Sequence, residues 1–172
     1  MTGRIWKLGP NIDTDALAPG RYMHLTIEGI AGHCLEDALP GFAQAVRPGD
    51  FIIAGENFGI GSSREQAAEA LRVLGVRAVI APSFGGIFYR NAFNLGLPVL
   101  ICADAARIAE TDRIEVDYQA GRIRNLTTDE VLATPALPPL LVSLITAGGL
   151  VAHLKATAPG SVPTGNTPTS AE

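Results

Sequence analysis

Lysine is nearly absent from this chain: among 172 residues only Lys7 and Lys155 carry an ammonium group, and the arginines are scattered. With a formal net charge of −4 there is no basic stripe for a polyanion to follow, which argues against nucleic acid as a partner. Cysteine occurs twice, at Cys34 and Cys102, far apart in sequence. Cys102 closes an apolar run as a small buried residue does, and the pair describes no disulfide framework. The three histidines, His24, His33 and His153, share no ligand spacing, so no metal or cluster site of the chain's own is expected. No stretch supplies the roughly 18 uninterrupted apolar residues of a membrane span, and the start MTGRIWKLGPNIDTD has no apolar leader. The expectation is a cytoplasmic protein.

Small and aliphatic residues are plentiful, with 47% apolar residues and 19 glycines. The length suits one α/β domain with a real core, expected over residues 1–155. Residues 156–172 contain no large apolar side chain beyond Val162, cannot offset the entropy of ordering, and are expected to form a disordered tail.

Apolar runs at Arg4–Leu8, Phe51–Ala54, Val76–Ala81 and Leu97–Cys102 read as strands. Helical spacing over Arg64–Leu74 and Phe84–Leu95, each followed by a glycine, places helices between the last three strands. Successive strand–helix–strand units of this length favour parallel pairing, covered on both faces. Short helices are expected over Glu28–Leu39 and Ala103–Ala109. Arg113–Tyr118 and Ile123–Leu126 read as an added antiparallel hairpin, and Leu140–Leu154 as a final packed helix broken at Gly148-Gly149. Residues 16–50 hold no long periodic segment, and irregular stretches of that length commonly bind something. A mobile flap over a site is the expectation.

The stretch Gly55–Ala68, GENFGIGSSREQAA, sits at a strand–loop–helix junction. Gly55, Gly59 and Gly61 allow positive φ and close backbone approach, and Ser62, Ser63 and Arg64 arrive where the amides of a helix start are unpaired. Two readings stay open. Ser62 with Glu65, or Ser63 with Gln66, fits a capping box. An anion site also accounts for the glycines and for a cation in the first turn. The stretch is not a P-loop, not the G-x-S-x-G elbow and not a dinucleotide fingerprint, which leaves recognition of a small carboxylate, with Arg64 offering a bidentate fork. Asn11-Ile12-Asp13-Thr14-Asp15 reads either as an Asx turn or as a second site loop.

GENFGIGSSREQAA together with VRAVIAPSFGGIFYRNAFNLGLPVL and NIDTD resembles the small-subunit family of 3-isopropylmalate dehydratase, the separate-chain counterpart of the swivelling fourth domain of aconitase. The resemblance spans roughly residues 4–150. It implies a swivelling β/β/α fold with a mostly parallel central sheet flanked by helices. It also implies a two-chain hydro-lyase of leucine biosynthesis whose large subunit carries a [4Fe–4S] cluster, while this chain binds no cofactor. By the same resemblance Ser62 is the base, Asp15 lies at the active site, and Arg64, the Ser63 amide and Gly61 bind the substrate. Asp13 is expected to be structural. The chain departs from many members at Ile60, Gln66, Ala68 and Gly85-Gly86, none of them a proposed catalytic group.

In the flap, relatives acting on longer tricarboxylates resemble Y-L-R-T, whereas Tyr22-Met23 here continues with His24-Leu25-Thr26. His24 and Leu25 would then line the substrate, favouring isopropylmalate or another alkylmalate, such as a methylmalate or dimethylmalate, over homoaconitate. A different class of function remains: a non-catalytic carboxylate-binding module that kept the fold.

Overall fold

The computed structural model describes residues 3–157. Its centre is a four-stranded parallel sheet of β1 (Ile5–Lys7), β2 (Phe51–Ile53), β3 (Ala78–Ala81) and β4 (Val99–Ile101), in that spatial order. Every residue of β2 and β3 is buried regardless of the face it points to, as continuous aliphatic runs require when both faces of a sheet are covered. The connections carry α4 (Gln66–Val73) between β2 and β3 and α5 (Gly86–Asn94) between β3 and β4. A sheet built in sequential order with right-handed crossovers puts both helices on one side, where they touch each other.

The route from β1 to β2 is long and holds three short helices, α1 (Thr14–Leu17), α2 (Ile27–Ala31) and α3 (Phe42–Ala45). The helix expected over Glu28–Leu39 therefore ends at Ala31. Beyond it Leu35 takes a left-handed φ of +59° and sends its N–H to the Ala16 carbonyl at 2.8 Å, a tertiary contact that no local pattern announces. The segment is also less loose than a flap of this length suggests. Arg21 pairs with Glu36 and Asp37, Tyr22 stacks on His33 at 3.6 Å, and His33 Nδ1 meets Glu36 Oε2 at 2.6 Å.

A second sheet contains β5 (Ile114–Asp117), β6 (Arg122–Asn125) and β7 (Val131–Ala133), all antiparallel. The expected hairpin is thus a three-stranded meander. β7 has the right alternation, with only Leu132 buried, but is too short to stand out before Pro135. Ile114, Ile123 and Leu132 join the same hydrophobic core as Phe51 and Val79, so the two sheets belong to one body. Residues 103–109 form only a 3-10 turn at Ala105–Arg107.

The broken final helix is found as α6 (Pro139–Ala147) and α7 (Leu150–Thr157), bent by 95° where Gly148 adopts φ +80°. No single helix among the described residues is long and apolar enough to cross a membrane. α7 has no buried residue, so the break frees it from the core rather than packing it there. It includes Ala156 and Thr157; the rest of the expected tail, residues 158–172, lies outside the described residues.

Beneath β1 and β2 a buried carboxylate ties the sheet's edge to the turn before it. Asp50 accepts the Arg4 N–H at 2.8 Å, the Trp6 indole N–H at 3.0 Å and the Arg47 N–H at 2.9 Å. Three donors on two oxygens satisfy a charged group that burial would otherwise penalise.

Candidate active site

The loops that leave β1, β2 and β3 at their carboxyl ends are laced together by main-chain hydrogen bonds, the position at which open α/β sheets bind ligands. The Asn11 N–H reaches Glu56 O at 2.7 Å, Gly59 N–H reaches Ile12 O at 2.7 Å, and Thr14 N–H reaches Ile60 O at 2.8 Å. On the other side Phe58 donates to Ser83 O at 3.1 Å and Gly85 to Phe58 O at 2.8 Å. The glycine-rich stretch is therefore a central strap held along both edges.

Two glycines have definite reasons to be there. Gly59 has φ +75°, and a Cβ on it would lie 2.2 Å from Phe88 Cγ, inside the ring's atoms. Gly61 has φ +109° and turns the strap against Thr14, whose Oγ1 would be 3.1 Å from an added Cβ.

That turn delivers Ser62 to Thr14. The Ser62 N–H donates to Thr14 Oγ1 at 3.0 Å, and the two hydroxyl oxygens are also 3.0 Å apart. Neither serine caps a helix. α4 begins only at Gln66, its cap residue Glu65 is already in right-handed helical geometry, and no side chain bonds the helix start. The capping-box reading of Ser62 and Ser63 is thus not what the strap forms. The Ser63 and Arg64 N–H groups find no protein acceptor among the described residues, and the Ser63 hydroxyl is likewise unpaired there.

Arg64 is held by one arm. Its Nη1 donates to Asp15 Oδ1 at 2.5 Å and to the Ala18 carbonyl at 2.9 Å. Nε and Nη2 have no hydrogen-bond partner among the described residues, and the side chain is 29% exposed. A guanidinium fixed on one edge and open on the other is preorganised to receive a carboxylate. The Arg64 hydrogen bond, and after it the Gly20 amide at 3.0 Å, hold the Asp15 carboxyl below the usual range, so Asp15 stays ionised. Asp13 instead caps α1, its Oδ1 accepting the Ala16 N–H at 2.7 Å.

The structure thus gathers Asp15, Gly61, Ser62 and Arg64, with Ser63 beside them, from two loops of the sheet. His24 and Leu25 lie on the exposed turn before α2, where Leu25 packs over Gly29; no described contact joins either to Ser62 or Arg64. Thr14 is the site residue that sequence reasoning missed. Its place between two aspartates made it look like part of a turn, and only the hydrogen bonds to a residue 48 positions away reveal its role. Among the described residues no three His, Cys, Asp or Glu side chains are grouped to hold a metal ion. Cys34 and Cys102 are free and buried, and burial pushes both thiols up, so these residues offer no donor set for an iron–sulfur cluster.

Residues 39–104, from α3 to β4, match the model of the aconitase C-terminal domain. The chain is 50% identical over 155 residues to the 3-isopropylmalate dehydratase small subunit of Wolinella succinogenes, covering 90% of this chain and 93% of that one. It belongs to the 3-isopropylmalate dehydratase small-subunit family. The isopropylmalate/citramalate isomerase small subunit of Methanocaldococcus jannaschii is 47% identical over 157 residues, covering 90% of this chain and 94% of that one. The fold agrees as well. A crystal structure of a 3-isopropylmalate dehydratase from Methanocaldococcus jannaschii superposes with a TM-score of 0.83 at 41% identity, covering 90% of this chain and 93% of that one. The swivelling α/β fold expected from the sequence is the fold of this family, and membership fits a chain that carries no cofactor itself.

Proposed function

We propose that this chain is the small subunit of a two-chain hydro-lyase that interconverts 2- and 3-isopropylmalate, a leucine-biosynthesis step carried out in the cytoplasm. Its partner is a large subunit carrying a [4Fe–4S] cluster, and the chain is inactive alone. The observation that carries the reading is that Ser62, bonded to Thr14, and Arg64, bonded by one arm to Asp15 and open along its other edge, are both anchored to the Asp13–Asp15 loop at the carboxyl end of the sheet.

The reaction removes a proton from the carbon next to a carboxylate and the hydroxyl from the neighbouring carbon, the C–H electron pair becoming the alkene. Re-addition with the two positions exchanged completes the isomerisation. Ser62 Oγ takes the proton and returns it. Arg64 Nε and Nη2 grip the adjacent carboxylate, the Ser63 N–H assists, and Gly61 leaves room for the substrate's backbone-side approach. Asp15 keeps the guanidinium aimed and its charge balanced until substrate arrives. The partner's cluster supplies Lewis acidity toward the departing hydroxyl. A serine oxygen is a weak base, so its anionic form needs the Arg64 charge and the free amides after Ser62.

Leu25 and His24 are assigned to the substituent of the malate, an apolar wall with no cation for a further carboxylate. A second reading has one observation in its favour: a relative 47% identical is named an isopropylmalate/citramalate isomerase subunit, so a methyl-substituted malate is the alternative substrate. Homoaconitate, which brings an extra carboxylate, and a non-catalytic binding module have no comparable support.

The test is reconstitution with the cluster-bearing large subunit. Hydration of the isopropyl-substituted alkene acid is expected in the mixture and not in either chain alone, and Ser62→Ala in a verified complex should abolish turnover. Near wild-type kcat in that variant would remove Ser62 as the base. Higher kcat/KM for the methyl-substituted acid would favour the second substrate.

A further inference from the structure

Thr14 is 2% exposed, and its hydroxyl has two partners, both on Ser62. A threonine hydroxyl has one proton and two lone pairs. The Ser62 N–H occupies one lone pair of Thr14 Oγ1, which leaves the hydroxyl proton without any acceptor except Ser62 Oγ at 3.0 Å. If Ser62 donated across this contact, the buried Thr14 proton would go unpaired, a state that costs free energy. If Thr14 donates, its proton is satisfied and the Ser62 proton turns outward to the open side of the strap. Once Ser62 has lost its proton only the second arrangement exists, and its hydrogen bond becomes charge-assisted and shorter.

Thr14 cannot easily swing away from this duty. It is the first residue of α1, next to the capping Asp13, its N–H is bonded to Ile60 O at 2.8 Å, and a β-branched side chain is stiff at χ1. The positive φ of Gly61 is what brings the strap within reach of it.

We infer that Thr14 is a positioning residue that donates its hydroxyl proton to Ser62 Oγ, aims the Ser62 oxygen outward and stabilises its anionic form during proton abstraction. The inference rests on the assignment of Ser62 as the base. Both are tested in the reconstituted two-chain enzyme with Thr14→Val, Thr14→Ser, Thr14→Cys and Ser62→Ala. Loss of one such donor costs about 100-fold in kcat. Thr14→Val should show that loss with KM within about threefold of wild type. The primary deuterium isotope effect, measured with substrate labelled at the carbon that loses its proton, should rise, because an anionic Ser62 that is harder to reach makes that step more limiting. Thr14→Ser should restore kcat to within about fivefold and the isotope effect to its wild-type value, since its hydroxyl donates in the same way. Should Thr14→Val fail to assemble, Thr14→Cys, whose thiol is a weak donor, is read instead and should show the same two changes at smaller size.

An inactive Ser62→Ala beside a Thr14→Val enzyme with wild-type kcat and isotope effect would overturn the inference and leave the base assignment standing. So would a fall in kcat with an unchanged isotope effect, the signature of a merely structural loss. An active Ser62→Ala would overturn both.

Discussion

Asp15 Oδ1 joins the glycine-rich strap to the segment after α1 at one atom, accepting Arg64 Nη1 at 2.5 Å and the Gly20 N–H at 3.0 Å. Gly20 is small enough for the pair to lie against it; a Cβ there would be 3.3 Å from Asp15 Oδ1 and 3.4 Å from Arg64 Nη2. Arg64 and the segment that begins at Gly20 are thus tied through one carboxylate, and substitutions at either are expected to be felt at the other.

Arg64→Lys keeps the charge and loses the fork. A lysine can satisfy Asp15 or a substrate carboxylate as a point charge but cannot hold one edge while offering the other. In the reconstituted enzyme kcat/KM is expected to fall by about 100-fold, mostly through KM, with the fold unchanged by circular dichroism. A loss confined to kcat would assign Arg64 a role only in the transition state.

Asp15→Asn should change the acid stability of the isolated chain. The folded-state carboxyl lies below its usual value because of Arg64 and then the Gly20 amide. The stability this confers is complete above the unfolded value of about 3.9 and is lost as pH falls through the lower folded value. Urea denaturation should show wild type ahead of Asp15→Asn by a constant margin from pH 7 down to about 5, shrinking to nothing in strong acid. With the Asp15 side chain 61% exposed, solvent screening keeps that margin below about 1 kcal/mol.

Gly59→Ala adds one methyl group where Phe88 already stands, at 2.2 Å from its Cγ, and in a conformation with φ +75°. Strain and overpacking together should cost about 2–4 kcal/mol, read as a drop in the urea midpoint. Gly86→Ala is the control, because a Cβ there meets nothing within 4 Å. It should be close to neutral.

Leu25→Arg places a cation on the exposed turn assigned to the malate substituent. Relative kcat/KM should move by about tenfold toward substrates with an additional carboxylate and away from alkyl-substituted ones. Equal loss on every substrate would show that this turn sets no preference. Glu36→Ala, which removes the ionic partner of His33 and one of the two carboxylates on Arg21, should speed limited proteolysis within residues 20–40.

The parallel sheet and the helices α4 and α5 were legible because their signals are local. Val76–Ala81 is an aliphatic run, Ala67, Ala68 and Leu71 recur at helical spacing, and Gly75 and Gly96 mark the ends. All three residues of the helical trio are buried. Short elements carry no period to detect: α2, α3 and β7 span three to five residues each, and their limits are imposed by contacts such as Leu35 with Ala16.

The family of the chain follows from the order of its residues alone, since GENFGIGSSREQAA and NIDTD are local strings that do not depend on where the chain carries them. That the two strings meet is a property of the parallel sheet, which sets the loops after β1 and β2 side by side and bonds Gly59 to Ile12 and Thr14 to Ile60. Only this meeting decides that Ser62 faces Thr14 instead of capping α4, and that Arg64 is anchored to Asp15 by one arm and open along the other. Side-chain chemistry is written residue by residue, but a hydrogen bond across 48 positions exists only when backbone pairing has already fixed both ends.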